Sequence, residues 1–117
     1  MWCSFDLFLE FLKATDGMNL IIVDWRNLAS PIPHSLSFAM YPKVMENVPV
    51  VAERLGLFIT FIREVYDPSA VSKIHMIGHC MGAHIAGIAA RSVRTRDGIL
   101  VDRVTGEKNH IISISIC

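Results

Sequence analysis

Apolar and polar positions along the chain fall into distinct textures. Phe5, Phe8, Leu9 and Leu12 recur at i, i+3, i+4 and i+7 and predict a short helix over residues 4–15, which Asp16-Gly17 ends. NLIIVDW at 19–25 is a short apolar run rich in β-branched residues. It predicts a strand buried on both faces, as in a parallel sheet. Residues 27–42 turn to Ser, Pro and His without periodicity and read as loop. Val44, Val48, Val51, Leu55, Phe58, Ile62 and Val65 are then spaced by threes and fours, the longest amphipathic helix in the chain. A proline inside a helix costs about 3 kcal/mol, so Pro49 predicts a regular helix that starts near Val48, with 41–47 as a separate kinked turn. Asp67-Pro68-Ser69 breaks the chain.

KIHMI at 73–77 reads as a second buried strand, Ala83 to Val93 as a helix of small residues, and ILVDRV at 99–104 as a third strand after the loop signal Gly98. The order β-α-β-α-β predicts an α/β domain with a parallel sheet and crossover helices, its strands near 19–24, 73–77 and 99–105. The tail, NHIISISIC, alternates apolar and polar residues as a half-exposed strand does, unlike the strands before it.

Composition narrows the picture. A chain of 117 residues suffices for one small domain. With 52% hydrophobic and 19% charged residues it has much to bury. A mean hydropathy of +0.43 implies an unusually apolar core or missing partner surface. Zero formal net charge gives no reason to expect a nucleic-acid partner. No stretch reaches the ~18 apolar residues of a transmembrane segment. The start, MWCSFDLFLEFLKATDG, lacks a basic leader and a small-residue cleavage site, and Asp6 and Glu10 interrupt it, so no signal peptide is read. Cys3, Cys80 and Cys117 have no metal-ligand spacing, nor do the five histidines, so no metal site is expected. Taken alone, the cysteines read as free thiols in a reducing compartment.

The chemistry gathers at IGHCMGAH, residues 77–84. Gly78 and Gly82 flank Cys80 at the spacing of the G-x-S-x-G nucleophile elbow, with a strand before and a helix after. Small residues are required because a nucleophile on a strained tight turn leaves no room two positions away. IHMIGHCMGAHIAG resembles the VHLIGHSLGAHVAG stretch of the pancreatic-lipase-like family of α/β-hydrolases, the secreted animal triacylglycerol lipases and phospholipases A1. NLIIVDW resembles that family's strand ending in Val-Asp-Trp. Tyr41 and Asn47 with Val50-Val51 are similar to its Tyr-x-x-Ala-x-x-Asn-x-x-x-Val-Gly helix entry, and VDRVTG at 101–106 to its Arg-Ile-Thr-Gly-Leu-Asp-Pro. The resemblance covers residues 1–106 and implies a partial α/β-hydrolase core, with 107–117 as an unrelated tail. It implies no cofactor, a lipid ester substrate or bound lipid, and secretion, which a start codon placed too late would reconcile with the absent leader. A tail that departs abruptly from the family is also what translation into an intron, or a wrong exon, would give.

Departures from the family bear on activity. Cys80 stands at the nucleophile position in place of Ser, and Met81 would supply one oxyanion N–H. The position of the catalytic acid is Lys108, with Glu107 where the family has Leu. No residue matches the catalytic base, which in the family lies further downstream, and the family's His-Gly oxyanion strand would precede residue 1. His79 and His84 are shared with the family and need no base role. His75 reads as a satisfied core histidine, Asp24-Trp25 as a structural strand end, and Arg91, Arg94 and Arg96 as a solvated helix end.

Three functions follow in order of expectation. The first is a fragment of a lipid carboxylic ester hydrolase working through an acyl-enzyme, inactive as written. The second is a lipase-fold protein that binds lipid without catalysis, as yolk or carrier proteins do. The third is a free-standing domain using Cys80 as a redox or regulatory thiol, disfavoured because so small a sheet would leave its edges uncovered.

Overall fold

The structure is a computed structural model that describes Lys13 and residues 19–29, 41–66, 73–107 and 113–116. The elements bounded within the described residues are, in chain order, β1 (Asn19–Ile22), α1 (Arg26–Ala29), α2 (Tyr41–Val65), β2 (Ile74–His79), α3 (Met81–Asp97), β3 (Arg103–Glu107) and β4 (Ser113–Ile116). The helix expected over residues 4–15 lies outside the described residues, apart from Lys13, which is helical.

Helices α2 and α3 pack together over one face of a four-stranded sheet. From α2, Val48, Val51, Ala52, Leu55, Ile59 and Ile62 form a continuous buried stripe. Ile85, Ala86, Ala89 and Val93 of α3 meet it, and Ile74 and Met76 of β2 close the core from below. The helices approach closely because small residues line the seam. A β-carbon on Gly56 would stand 3.4 Å from Val93 Cγ1. Thr60 Oγ1, 2.6 Å from Asp97 Oδ2 and accepting from Arg96 Nη2 at 2.9 Å, ties the two helices at their C-terminal ends.

Pro49 does not delay α2. The helix runs unbroken from Tyr41 through the proline, because Val44 and Val48 on its N-terminal side are both buried and reward the extra turns. Pro49 lies on the exposed side, as does Met45, whose carbonyl loses its partner N–H where water reaches it.

The strand order is β1-β4-β2-β3. β2 and β3 run parallel, as expected, with Gly78 opposite Gly106 and His79 opposite Glu107. The sheet as a whole is mixed, and this corrects the parallel sheet expected from the sequence. The tail segment β4 lies between β1 and β2, antiparallel to both. The register sets Ile114 opposite Met76 and Ile116 opposite Ile74, and Met76 and Ile74 are buried in the core. β1 sits at the edge with Ile22 half exposed, so it is not the doubly buried strand its composition predicts.

The third strand begins later than expected. Gly98, at φ 66°, ends α3 in the left-handed conformation and donates to Arg94 O. Ile99 N then donates to Val93 O, so Ile99 is held against the helix end and buried there, not paired in the sheet. Asp102 makes the entry to β3: its N–H donates to Ile74 O and its carboxylate accepts from Ile74 N at 2.7 Å.

Candidate active site

β2 carries its chain out of the sheet at His79, and α3 begins at Met81. The single residue between them is Cys80, with φ 51° and ψ −116°. It is the one non-glycine residue with positive φ among the described residues. Such a conformation costs of order 1–3 kcal/mol and persists only where the surroundings impose it. The imposition is visible: Ala83 N donates to Cys80 O at 3.1 Å, closing the turn as the helix starts. A β-carbon on Gly78 would overlap the Gly82 carbonyl and stand 2.6 Å from Ala83 N. Gly106 completes the ring of small residues, since a β-carbon there would meet Ala83 Cβ at 3.1 Å. Sequence reasoning counted Gly78 and Gly82 and missed Gly106; the VTG triplet was the available signal.

The result is an exposed free thiol on the point of a strained strand-to-helix turn, with Met81 half-buried behind it. The thiol makes no capping hydrogen bond to α3. His79 is buried beneath the turn, and His84 is exposed one helical turn further on. Lys108, the position matching the family's acid, lies outside the described residues; Glu107 before it is the last residue of β3.

The other candidates take structural roles. His75 Nε2 lies 2.8 Å from Thr105 Oγ1 on the neighbouring strand. Partial burial, reinforced by Arg103 beside it, lowers its pKa from the ordinary value. Asp24 accepts from Arg26 N at 3.1 Å and holds the Arg26 guanidinium through both carboxylate oxygens, at 2.6 to 3.0 Å. The guanidinium hydrogen bonds keep that carboxyl below its usual range. Ser113 pairs with Ile22 on one side and Ile77 on the other, so Asp24 and Trp25 follow their strand at the same end of the sheet as Cys80. Arg91 and Arg94 are exposed, as a solvated helix end implies, but Arg96 is engaged with Asp97 and Thr60. Among the described residues no group of three or more His, Cys, Asp or Glu could hold a metal ion.

The sequence pattern of the lipase family matches residues 4–109. The chain belongs to the lipase family. A pancreatic triacylglycerol lipase of the coypu Myocastor coypus is 33% identical over 99 residues, covering 83% of this chain and 18% of that protein. A phospholipase A1 of the hornet Vespa velutina is 36% identical over 87 residues, covering 74% of this chain and 28% of the relative. The human pancreatic triacylglycerol lipase is 31% identical over 95 residues, with 81% and 18% covered. No solved structure matches. The chain thus spans well under a third of the length of these relatives. Lipase-family membership accounts for the α/β architecture: a parallel β2–β3 pair with a helix crossing between them is one βαβ unit of an α/β-hydrolase. No helix among the described residues is long and apolar enough to cross a membrane.

Proposed function

We propose that this chain carries the nucleophile elbow of a lipid carboxylic ester hydrolase, and that as written it does not turn over. The observation that carries the reading is Cys80 on its positive-φ turn, between β2 and α3, with no space for a β-carbon at Gly78. In the family reaction the nucleophile attacks the ester carbonyl, the alkoxide leaves with a proton from the base–acid pair, and water then releases the acid from the acyl-enzyme. Cys80 takes the nucleophile position and Met81 N–H that of one oxyanion donor. The lipid substrate and secretion come from the family.

Inactivity is supported by what surrounds the thiol. His79 is buried under the turn, His84 points along an exposed helix face, and Lys108 replaces the acid. Losing triad members typically removes several powers of ten in rate. A second reading, a lipase-fold protein that binds lipid without hydrolysing it, is favoured by that same replacement of the acid by a lysine.

Hydrolysis of short-chain p-nitrophenyl esters by the 117-residue chain tests the proposal. The expected result is no turnover by the wild type, and no more from Cys80→Ser than from Cys80→Ala. Turnover by the serine variant above the alanine background would show that a competent base and acid are present.

A further inference from the structure

A cleft of about 540 Å³ opens between the β1–α1 connection and α2, within the ~300–1,000 Å³ range of small-molecule sites. We infer that it binds a long-chain monocarboxylate, an apolar tail ending in one carboxylate. One wall is Trp25 and Leu28; the other is Val50 and Phe58 of α2. Leu28, Val50 and Phe58 are 42%, 51% and 37% exposed, so an apolar ligand would remove substantial side-chain surface from water.

The polar side of the cleft selects the head group. Among the described residues, Asp24, Arg26 and Arg54 are its charged side chains. Asp24 and Arg26 neutralise each other through a bidentate ion pair, closest at 2.6 Å. Arg54 remains, so among the described residues the lining carries one net positive charge. A guanidinium fork fits a carboxylate bidentately. A neutral lipid would leave Arg54 without a counter-ion, and a short carboxylate would leave the apolar walls wet. An amphiphile with a single negative charge satisfies both.

The walls are also fixed in place. Asn47 Nδ2 donates to Leu28 O at 2.9 Å and pins α1 to α2, while Trp25 O accepts from Leu28 N and Ala29 N. A pre-formed site avoids the cost of ordering its loops on binding. Cys80 contributes nothing to the lining, so the inference is independent of ester hydrolysis.

The test is fluorescence titration of the 117-residue chain with cis-parinaric acid and, in parallel, its methyl ester, below the concentration at which the acid self-associates. The acid is expected to bind saturably and about tenfold more tightly than the ester, the size of one charge-assisted hydrogen-bonded pair. Arg54→Gln, an exposed change that leaves the core stripe of α2 intact, is expected to bring the acid down to the affinity of the ester and leave the ester unchanged. Arg54→Lys should recover part of the preference. Equal affinities for acid and ester in the wild type, an unaltered preference in Arg54→Gln, or no saturable binding would each overturn the assignment.

Discussion

Gly78 and Gly82 approach so closely across the turn that a β-carbon on the first would occupy the space of the second's carbonyl. The neighbour is backbone, so no rotamer change can relieve the overlap. Gly78→Ala is therefore expected to destabilise the chain by about 3 kcal/mol, at the upper end of ordinary overpacking. Gly87 is the internal control. It lies in the exposed middle of α3, and a β-carbon there meets nothing within 4 Å. Gly87→Ala should stabilise by about 0.5–1 kcal/mol through helix propensity. Urea denaturation of the two variants checks both signs; a tolerated Gly78→Ala would mean that the turn is looser than described.

Asp102 and Ile74 exchange two hydrogen bonds at the point where β2 and β3 begin. Ile74 is buried, so its N–H has little access to water if the carboxylate goes. Asp102→Ala is expected to cost about 1–2 kcal/mol, the penalty of an unsatisfied buried donor. Asp102→Asn keeps an acceptor oxygen and should recover most of the loss. Equal destabilisation by both substitutions would assign the effect to charge.

The elbow was legible because all that makes it except Gly106 is local. Strand, turn and helix are adjacent in sequence, and the glycine spacing encodes a steric requirement that the fold meets at Gly78. The misreadings came from long-range effects. Pro49 argues against a helix on propensity alone, and only the burial of Val44 and Val48 against the rest of the molecule outweighs it. The alternation of ISIS correctly indicates a strand in the tail. Its place between β1 and β2 depends on partners more than 30 residues away in sequence, beyond any periodicity argument. The delayed start of β3 follows from Ile99 being captured by the end of α3, a contact that an apolar run does not announce.

His75 makes stability depend on pH in a defined direction. Its folded pKa lies below the ordinary 6.5, through burial first and Arg103 second. As pH falls below about 6.5 the unfolded chain takes up this proton before the folded chain does, so unfolding is favoured and stability declines. Above that pH the group contributes no slope. Asp24 and Asp97 are held below 3.8 by their arginine neighbours, so their own losses begin only in much stronger acid. The denaturation midpoint should therefore fall on mild acidification in the wild type and fall less in His75→Gln. Parallel profiles would remove His75 from the account.

Cys80 pays for its position in backbone strain, and that strain can be measured apart from any chemistry. At φ 51° and ψ −116° its β-carbon opposes the conformation, at a cost of order 1–3 kcal/mol. Glycine adopts the same backbone freely but loses about 0.5–1 kcal/mol of chain entropy on folding. Cys80→Gly should thus be more stable than Cys80→Ala by about 1 kcal/mol. Alanine removes the exposed thiol and keeps the β-carbon, so it should stay close to the wild type. Comparing the alanine and glycine variants cancels the thiol and leaves the backbone alone. A glycine variant no more stable than alanine would mean that the turn relaxes to negative φ, and that the seat of the nucleophile is not held in the strained geometry on which the functional proposal rests.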